Sequence, residues 1–331
     1  MPPPQTLPLA RYRYTFRMRA PLRLPDYAGS LLRGQFGASL RSINCMTQQA
    51  SCDGCPLRAT CPYAAVFEAP APAQHDMQQF SHIPNPYVVE PPPLGTTSIA
   101  RNEPLAFNLV LFGRALEHVP LISFALQRAL EQGLGPERAR GTLEHIDVQQ
   151  ADNAEKMGIY TWAPIWQQGD AQLAAHAAKL PLAAPTNTTA VTEAKLAFLT
   201  PLRLQQQGQP IRPDALTPRK LVADLLRRVS LLAEFHAGQP GIVPEVHDLV
   251  RHSEGLVHQH DLHWHDWSRY SSRQQREMRL GGALGTWTLS GDLAPLLPWL
   301  HIGQWLHVGK NATLGLGAYR LETIVGAGAG K

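Results

Sequence analysis

Strand-like and helix-like segments follow one another twice along this 331-residue chain, and each half opens strand–helix and later shows strand–helix–strand. A block of four cysteines interrupts the first half just after its first helix. Together these patterns predict an α+β fold of two tandem ferredoxin-like βαββαβ domains, with a small Cys-rich insertion after the first helix. The expected division is 1–190 for the first domain with the insertion at 45–68, 191–325 for the second, and a tail at 326–331. No sequence repetition links the halves, so their symmetry is structural only. A single larger α+β domain is the alternative.

Each element has a local reason. Residues 9–20, "LARYRYTFRMRA", alternate apolar or aromatic side chains with arginine, the period of a strand with one outward face. Residues 27–43 carry Leu32, Phe36 and Leu40 at i+4 spacing, a helix stripe, with Asp26 as the expected N-cap. The Pro-rich stretch 69–94 reads as extended, and "PLAFNLVLFG" at 104–113 as a strand. Residues 114–132 read as a helix despite Pro120, and 142–150 as a strand. The pattern loosens near 150–190, and the domain boundary is expected around 185–192. Residues 193–205 restart the order as a strand. A helix at 217–236 follows, with Thr217 as N-cap, Pro218 at its first position and Gly238 just past its end. Residues 277–290 read as strands meeting near glycines, 294–309 as mostly helix, and a last strand follows a Gly-rich loop.

Composition narrows the class. The chain is 44% hydrophobic and only 17% charged, which is globular. A net charge of +4 is too small for a polybasic arm, although arginine outnumbers lysine, and arginine suits bidentate phosphate contacts and base stacking. A GC-rich genome gives the same bias. No apolar run reaches the ~18 residues of a membrane span. The first residues lack a signal-peptide pattern, so a cytoplasmic protein with no membrane partner is expected.

Cys45, Cys52, Cys55 and Cys61 are the only cysteines, spaced C-x6-C-x2-C-x5-C. Four thiolates can close a tetrahedral zinc site of structural type, with Gly54 easing the sharp turn inside the CxxC half. An iron–sulfur cluster uses the same ligands. A closed ligand set leaves no open position, so no catalytic metal is expected.

Six of the fourteen histidines fall at 245–275. "VHQHDLHWHDW" alternates, which puts His258 and His260 on one strand face, and His263 and His265 on a shared face. "DWSRYSSRQ" then interleaves Trp267 and Tyr270 with Arg269 and Arg273, rings that stack bases beside guanidinium groups that hold phosphate. The Gly-rich loop reads "HVGKNATLGLGAYRLE". It is not a nucleotide P-loop: Lys310 comes after Gly309 but before Gly315 and Gly317, not after the second glycine of the loop, and a strand follows where a helix is required.

In combination these segments resemble the CRISPR repeat-RNA-processing endoribonucleases of the RAMP superfamily, in a branch with an inserted Cys segment. The features that carry the resemblance are "LLRGQFGASLR", "CDGCPLRATCPYAAVFE", "FLTPLRL", "DWSRYSSRQ", "LGGALGTWTLSGDLAPLLPWLHIGQWLHVGK" and "TLGLGAY", in that order over most of the chain. The resemblance implies two RRM-like RAMP folds and recognition of a CRISPR repeat RNA. It implies metal-independent cleavage of the precursor transcript that leaves a 2′,3′-cyclic phosphate. Other Cas subunits of an effector complex are the further partners. The Gly-rich loop would face RNA with Gly309, Gly315 and Gly317 allowing close approach, Lys310, Asn311 and Thr313 donating, and Arg41 adding charge.

Cleavage needs a base for the ribose 2′-OH and positive charge on the phosphorane. In the family a His or Tyr in or near the first helix often serves, but this helix has no His. The candidates are therefore His307 and His265 as base, with Tyr27 and Arg33 to position and stabilise the phosphate. Without a working base, the alternative is a non-catalytic RNA-binding subunit that holds the 3′ end of the crRNA. A zinc-ribbon interaction module with no RNA role is a third reading.

Overall fold

The computed structural model describes residues 6–69, 83–150, 161–182, 191–271 and 276–325. In the first half, β1 (Leu9–Met18) leads to α1 (Gly29–Asn44), the short α2 (Pro62–Phe67), β2 (Tyr87–Glu90) and β3 (Pro104–Phe112). Then come α3 (Val119–Gln132), β4 (Gly141–Gln149) and β5 (Trp162–Gln167). All strands pair antiparallel in the order β2-β3-β1-β4-β5. Without β5, this is the ferredoxin-like order.

The second half repeats it. Here β6 (Val191–Leu202), α4 (Pro218–Ala237), α5 (Val246–His252), β7 (Val257–His265), β8 (Gly282–Ser290), α6 (Leu297–Leu306) and β9 (Tyr319–Val325) give the order β7-β8-β6-β9. Ser268–Ser271 and Arg276–Arg279 form a separate hairpin. The two tandem ferredoxin-like sheets are therefore present. Residues 183–190, which hold most of the expected boundary, lie outside the described residues, as does the tail at 326–331.

Local chemistry explains most elements. Tyr12, Tyr14 and Phe16 of β1 point into the first core, against Leu32, Phe36 and Leu40 of α1. Pro120 is tolerated because it lies in the first turn of α3, where its missing N–H would have no helical partner anyway. The segment before it is a 3-10 turn, Gly113–His118, rather than α-helix. Thr217 caps α4 by accepting from the Lys220 amide, and Gly238 ends it in the left-handed region at φ 64°.

Two expectations need correction. Asp26 does not cap α1: the cap position is Ala28, with no side-chain hydrogen bond. The helix starts where it docks, since a Cβ on Gly29 would stand 2.0 Å from the Leu314 carbonyl oxygen. The stretch after 150 also holds more order than its pattern suggests. Trp162–Gln167 adds an edge strand that tolerates Pro164, and Leu180–Pro181 pairs with Thr6–Leu7.

The second domain lies against the first sheet's helix-free face. At one end that face is apolar, and Leu9, Val88, Val110 and Phe112 join the core built by α4, α6 and the second sheet. Further along it turns polar, with Arg11, Glu90 and Asn108. No described helix is long and apolar enough to cross a membrane.

Candidate nucleic-acid interface

The Gly-rich loop begins where α6 ends. The Lys310 amide donates to the Arg203 carbonyl at 2.8 Å, and the Gly317 amide to the Pro201 carbonyl at 3.0 Å, so the loop is stitched to the end of β6. The glycines serve this packing. A Cβ on Gly317 would stand 1.9 Å from the Val308 oxygen, on Gly315 2.4 Å from the Val89 oxygen, and on Gly309 2.6 Å from the Arg203 oxygen. Gly315 and Gly317 are buried and Gly309 is half-buried, so the expectation that these glycines admit an RNA backbone is corrected: they admit this chain's own backbone.

What the loop turns outward is Lys310, with Asn311 and Thr313 half-buried beside it. They line a groove of about 580 Å3 whose opposite wall is α4, with Lys220, Asp224, Arg227 and Arg228. Asn85 and Gln205 complete it. Lys220 pairs with Asp224 at 2.6 Å. Arg228 donates from Nε to the Leu306 carbonyl at 2.7 Å. Its Nη2 is buried with no partner among the described residues. Burial pushes Arg228 down to about 10, which leaves it cationic at neutral pH. Four basic side chains against one carboxylate make an anion-binding groove, and the partly desolvated guanidinium strengthens it.

Behind the loop the two domains are bolted together. Arg11, 7% exposed, donates from Nε to Glu90 Oε1 at 3.1 Å, from Nη1 to Gln149 Oε1 at 3.0 Å and from Nη2 to the Gln304 carbonyl at 2.7 Å. Glu90 Oε1 also lies 3.1 Å from His307 Nε2, and its Oε2 accepts from Asn108 at 3.0 Å. Burial alone would raise the Glu90 carboxyl, but the Arg11 guanidinium and the His307 hydrogen bond outweigh it and hold it at about 2. The Trp305 indole donates to Gln149 at 3.1 Å.

His307 is 1% exposed and sits at φ 58°, ψ 166°, a region used almost only by glycine. Such strain costs on the order of 1–3 kcal/mol and persists only when the surroundings hold it. Buried in this way, His307 cannot reach a ribose hydroxyl, which corrects its reading as a base.

Tyr27 is corrected as well. It is 3% exposed, its hydroxyl donates to the Leu314 carbonyl at 2.7 Å, and its ring lies 4.8 Å from that of Trp267. Burial pushes its phenol well above the ordinary value. It fastens α1 to the Gly-rich loop. Arg33 donates to the Tyr87 hydroxyl at 3.0 Å and lies over Phe67, with its guanidinium 4.9 Å from the ring centre. It shares a second groove, about 750 Å3 along α1, with Arg41. Arg41 turns back to the carbonyls of Gln49 and Ala50 and so braces the cysteine loop.

His265 stands half-exposed at the end of β7, opposite Gly282, and nothing described joins it to His307. His258 and His260 share a face against Trp287, as the alternation predicts. In the hairpin, Arg269 is opposite Met278 and Tyr270 opposite Glu277. Their side chains lie outside the described residues, as does the whole of Arg273.

The four cysteines line one cavity of about 180 Å3. Thr47 Oγ1 lies 4.0 Å from Cys45 Sγ and 3.6 Å from Cys55 Sγ, and the Cys55 amide closes a turn on the Cys52 carbonyl at 3.2 Å. The donor set suits zinc. Among the described residues, however, no three His, Cys, Asp or Glu side chains are drawn together as a metal-ligand group. The cysteines surround a common space without converging on a point.

The sequence reading missed Arg11, Glu90, Lys220 and Arg228. Glu90 did leave a trace in "YVVEPPP", a charge at the end of an apolar strand. Arg11 left none, because a period of two marks an outward face without saying what will cover it.

Comparison with known proteins reaches both halves. The AF_1859 N-terminal domain model matches residues 7–178, and the model of the CRISPR-associated endoribonuclease Cas6 matches residues 196–319. An uncharacterized protein of Archaeoglobus fulgidus is 23% identical over 304 residues, covering 91% of this chain and 93% of its own length. A solved Cas6 product complex superposes at TM-score 0.55 with 16% identity, over 95% of this chain and 100% of that one. A partial Cas6-RT-Cas1–Cas2 complex superposes at 0.54 with 16% identity, over 96% of this chain. The chain spans about half, 46%, of that longer polypeptide. The solved structures share the fold.

Proposed function

Because this chain belongs to the CRISPR-associated endoribonuclease Cas6 family of RAMP proteins, we propose that it binds CRISPR repeat RNA and cleaves the precursor transcript into guide RNA. The observation that carries this reading is the groove between the Gly-rich loop and α4, where Lys220, Arg227, Arg228 and Lys310 face one space. RNA phosphates neutralised there release counterions, which favours binding. The α1 groove with Arg33 and Arg41 extends the basic surface. Cleavage proceeds by 2′-OH attack without a metal and leaves a 2′,3′-cyclic phosphate. Of the sequence candidates, His265 is the half-exposed histidine, and it takes the 2′-OH proton. As the 2′-oxygen bonds to phosphorus the P–O5′ bond breaks, and the 5′-oxygen leaves as a hydroxyl with a proton from the resulting imidazolium or from water. Arg33 supplies charge to the phosphorane.

One observation favours a second reading. His307 and Tyr27 are both sealed inside the molecule, and α1 carries no histidine. A chain that binds the repeat and retains the 3′ end of the crRNA, without cutting, fits that arrangement. Incubating the purified protein with repeat RNA in EDTA separates the two. Cyclic-phosphate ends that vanish in His265→Ala support the nuclease; tight binding with intact RNA supports the holder; neither binding nor cleavage overturns both.

Other Cas subunits are the proposed protein partners, and 1–190 and 191–325 the proposed domains. For the cysteine loop we propose zinc as a structural brace held by Cys45, Cys52, Cys55 and Cys61. Bound zinc would tie the end of α1 to the start of α2 and supply no chemistry to the reaction. About one zinc per chain by elemental analysis, with a lower melting temperature after chelation, would support this. Metal-free protein with unchanged melting would end it.

A further inference from the structure

We propose that Glu90 is a positioning residue for RNA binding: from the first domain it holds His307 in a glycine-like conformation, and so sets where the loop carrying Lys310 stands against α4. This role rests on RNA lying in the groove between the loop and α4. Three observations carry it. Glu90 lies at the end of β2 and is fixed on one side by Arg11 at 2.9 Å and by Asn108 at 3.0 Å, both in the first domain. On the other side it meets His307 Nε2 at 3.1 Å, the first residue after α6. His307 has a positive φ of 58° without being glycine, so that backbone needs an external hold. The hold sits three residues before Lys310.

The direction of influence follows from rigidity. Glu90 belongs to a paired strand and is saturated by partners of its own sheet. The later part of the loop is tied to the end of β6 by the Lys310 and Gly317 amides and by the Thr200 hydroxyl on the Gly315 carbonyl, while its first residue, His307, takes its side-chain hold from Glu90 and from the Leu316 carbonyl. Removing the carboxylate therefore loosens the start of the loop, at His307, rather than the strand. Asn311, itself at φ 64°, would then no longer be confined to its place on the groove wall. Both walls of the groove belong to the second domain, and the first domain reaches it through Ile83, Pro84 and Asn85 at the rim and through Glu90 behind His307.

The test is the salt dependence of repeat-RNA affinity, measured by fluorescence anisotropy on the full chain. The slope of log K against log salt counts phosphate contacts, at about 0.7–0.9 for each. A merely structural role for Glu90 would lower the active fraction and leave this slope alone. Lys310→Ala should flatten the slope by about one contact, which means roughly a threefold smaller loss of affinity between 50 and 200 mM salt. Glu90→Ala should flatten it by at least as much, and the double variant Glu90→Ala with Lys310→Ala should flatten it no further than Glu90→Ala alone. Should Glu90→Ala not fold, Glu90→Gln replaces it, because it keeps the volume and one acceptor. A folded Glu90 variant with the wild-type slope overturns the positioning role, and so does a double variant whose effects simply add. If Lys310→Ala itself leaves the slope unchanged, the groove reading has failed, and the positioning role with it.

Discussion

Replacing Glu90 by glutamine should make the stability of this protein insensitive to one titration that the wild type feels. The folded-state carboxyl is held at about 2, against an ordinary value of 4.5. A difference of about 2.5 pH units is worth roughly 3 kcal/mol of stability at neutral pH. The depressed value means that this contribution is complete above pH 4.5 and disappears as the pH falls through about 2. Glutamine cannot carry the charge, and it removes the Glu90 carboxylate from beside Arg11, which is buried at 7% exposure. Breaking a buried pair from one side costs about 3–5 kcal/mol in comparable cases, which agrees with the titration figure. Urea unfolding of wild type and Glu90→Gln at intervals from pH 7 to pH 2 would show it. The difference should be largest at pH 7, hold to about pH 5 and shrink steadily below that. A difference that stays constant with pH, or a variant as stable as wild type at pH 7, would refute the reasoning.

Other expectations follow from single contacts. Thr217→Ala should cost about 1 kcal/mol in thermal melts, while Thr217→Ser should cost little, because the capping oxygen is what the Lys220 amide uses. Gly317→Ala should destabilise by several kcal/mol through its 1.9 Å approach to the Val308 oxygen and its φ of 70°. Gly34→Ala, with open space around it in α1, should instead stabilise by about 0.5–1 kcal/mol; equal effects from the two substitutions would count against the packing account. Tyr27→Phe should lose about 1–2 kcal/mol, because the Leu314 carbonyl loses its donor, and should leave the pH profile of any cleavage unchanged; a shifted profile would return Tyr27 to the chemistry.

How far the sequence speaks depends on the distance over which each feature is decided. Leu32, Phe36 and Leu40 could be read as the buried face of α1, and Thr217, Pro218 and Gly238 as the limits of α4, because helix period and capping act within a few residues. The order of elements announced two ferredoxin-like units for the same reason. The Gly-rich loop was legible in kind: glycine does allow close backbone approach there. Its partner was not legible, since Val89 lies more than two hundred positions away and only the docked domains bring it near. The same distance hid the bolt. Glu90 meets Arg11 across 79 positions and His307 across 217, and nothing local marks the three as a set. His307 was singled out for standing beside the loop, and its burial came from the domain that covers it. Nothing local in the sequence marks Lys220 and Arg228 as groove residues, since the loop that faces them lies about eighty to ninety positions further on.

The central claim is that RNA lies in the groove between the Gly-rich loop and α4. Charge reversal there tests it most directly, through the affinity of Lys310→Glu combined with Lys220→Glu for repeat RNA at fixed salt. Arg101→Glu combined with Arg140→Glu, two exposed positions outside the groove lining, serves as the charge-matched control. The account predicts a loss of at least tenfold for the groove pair, with melting close to wild type and only a small change for the control pair. Wild-type affinity in the groove variant, or an equal loss from the control, would contradict it.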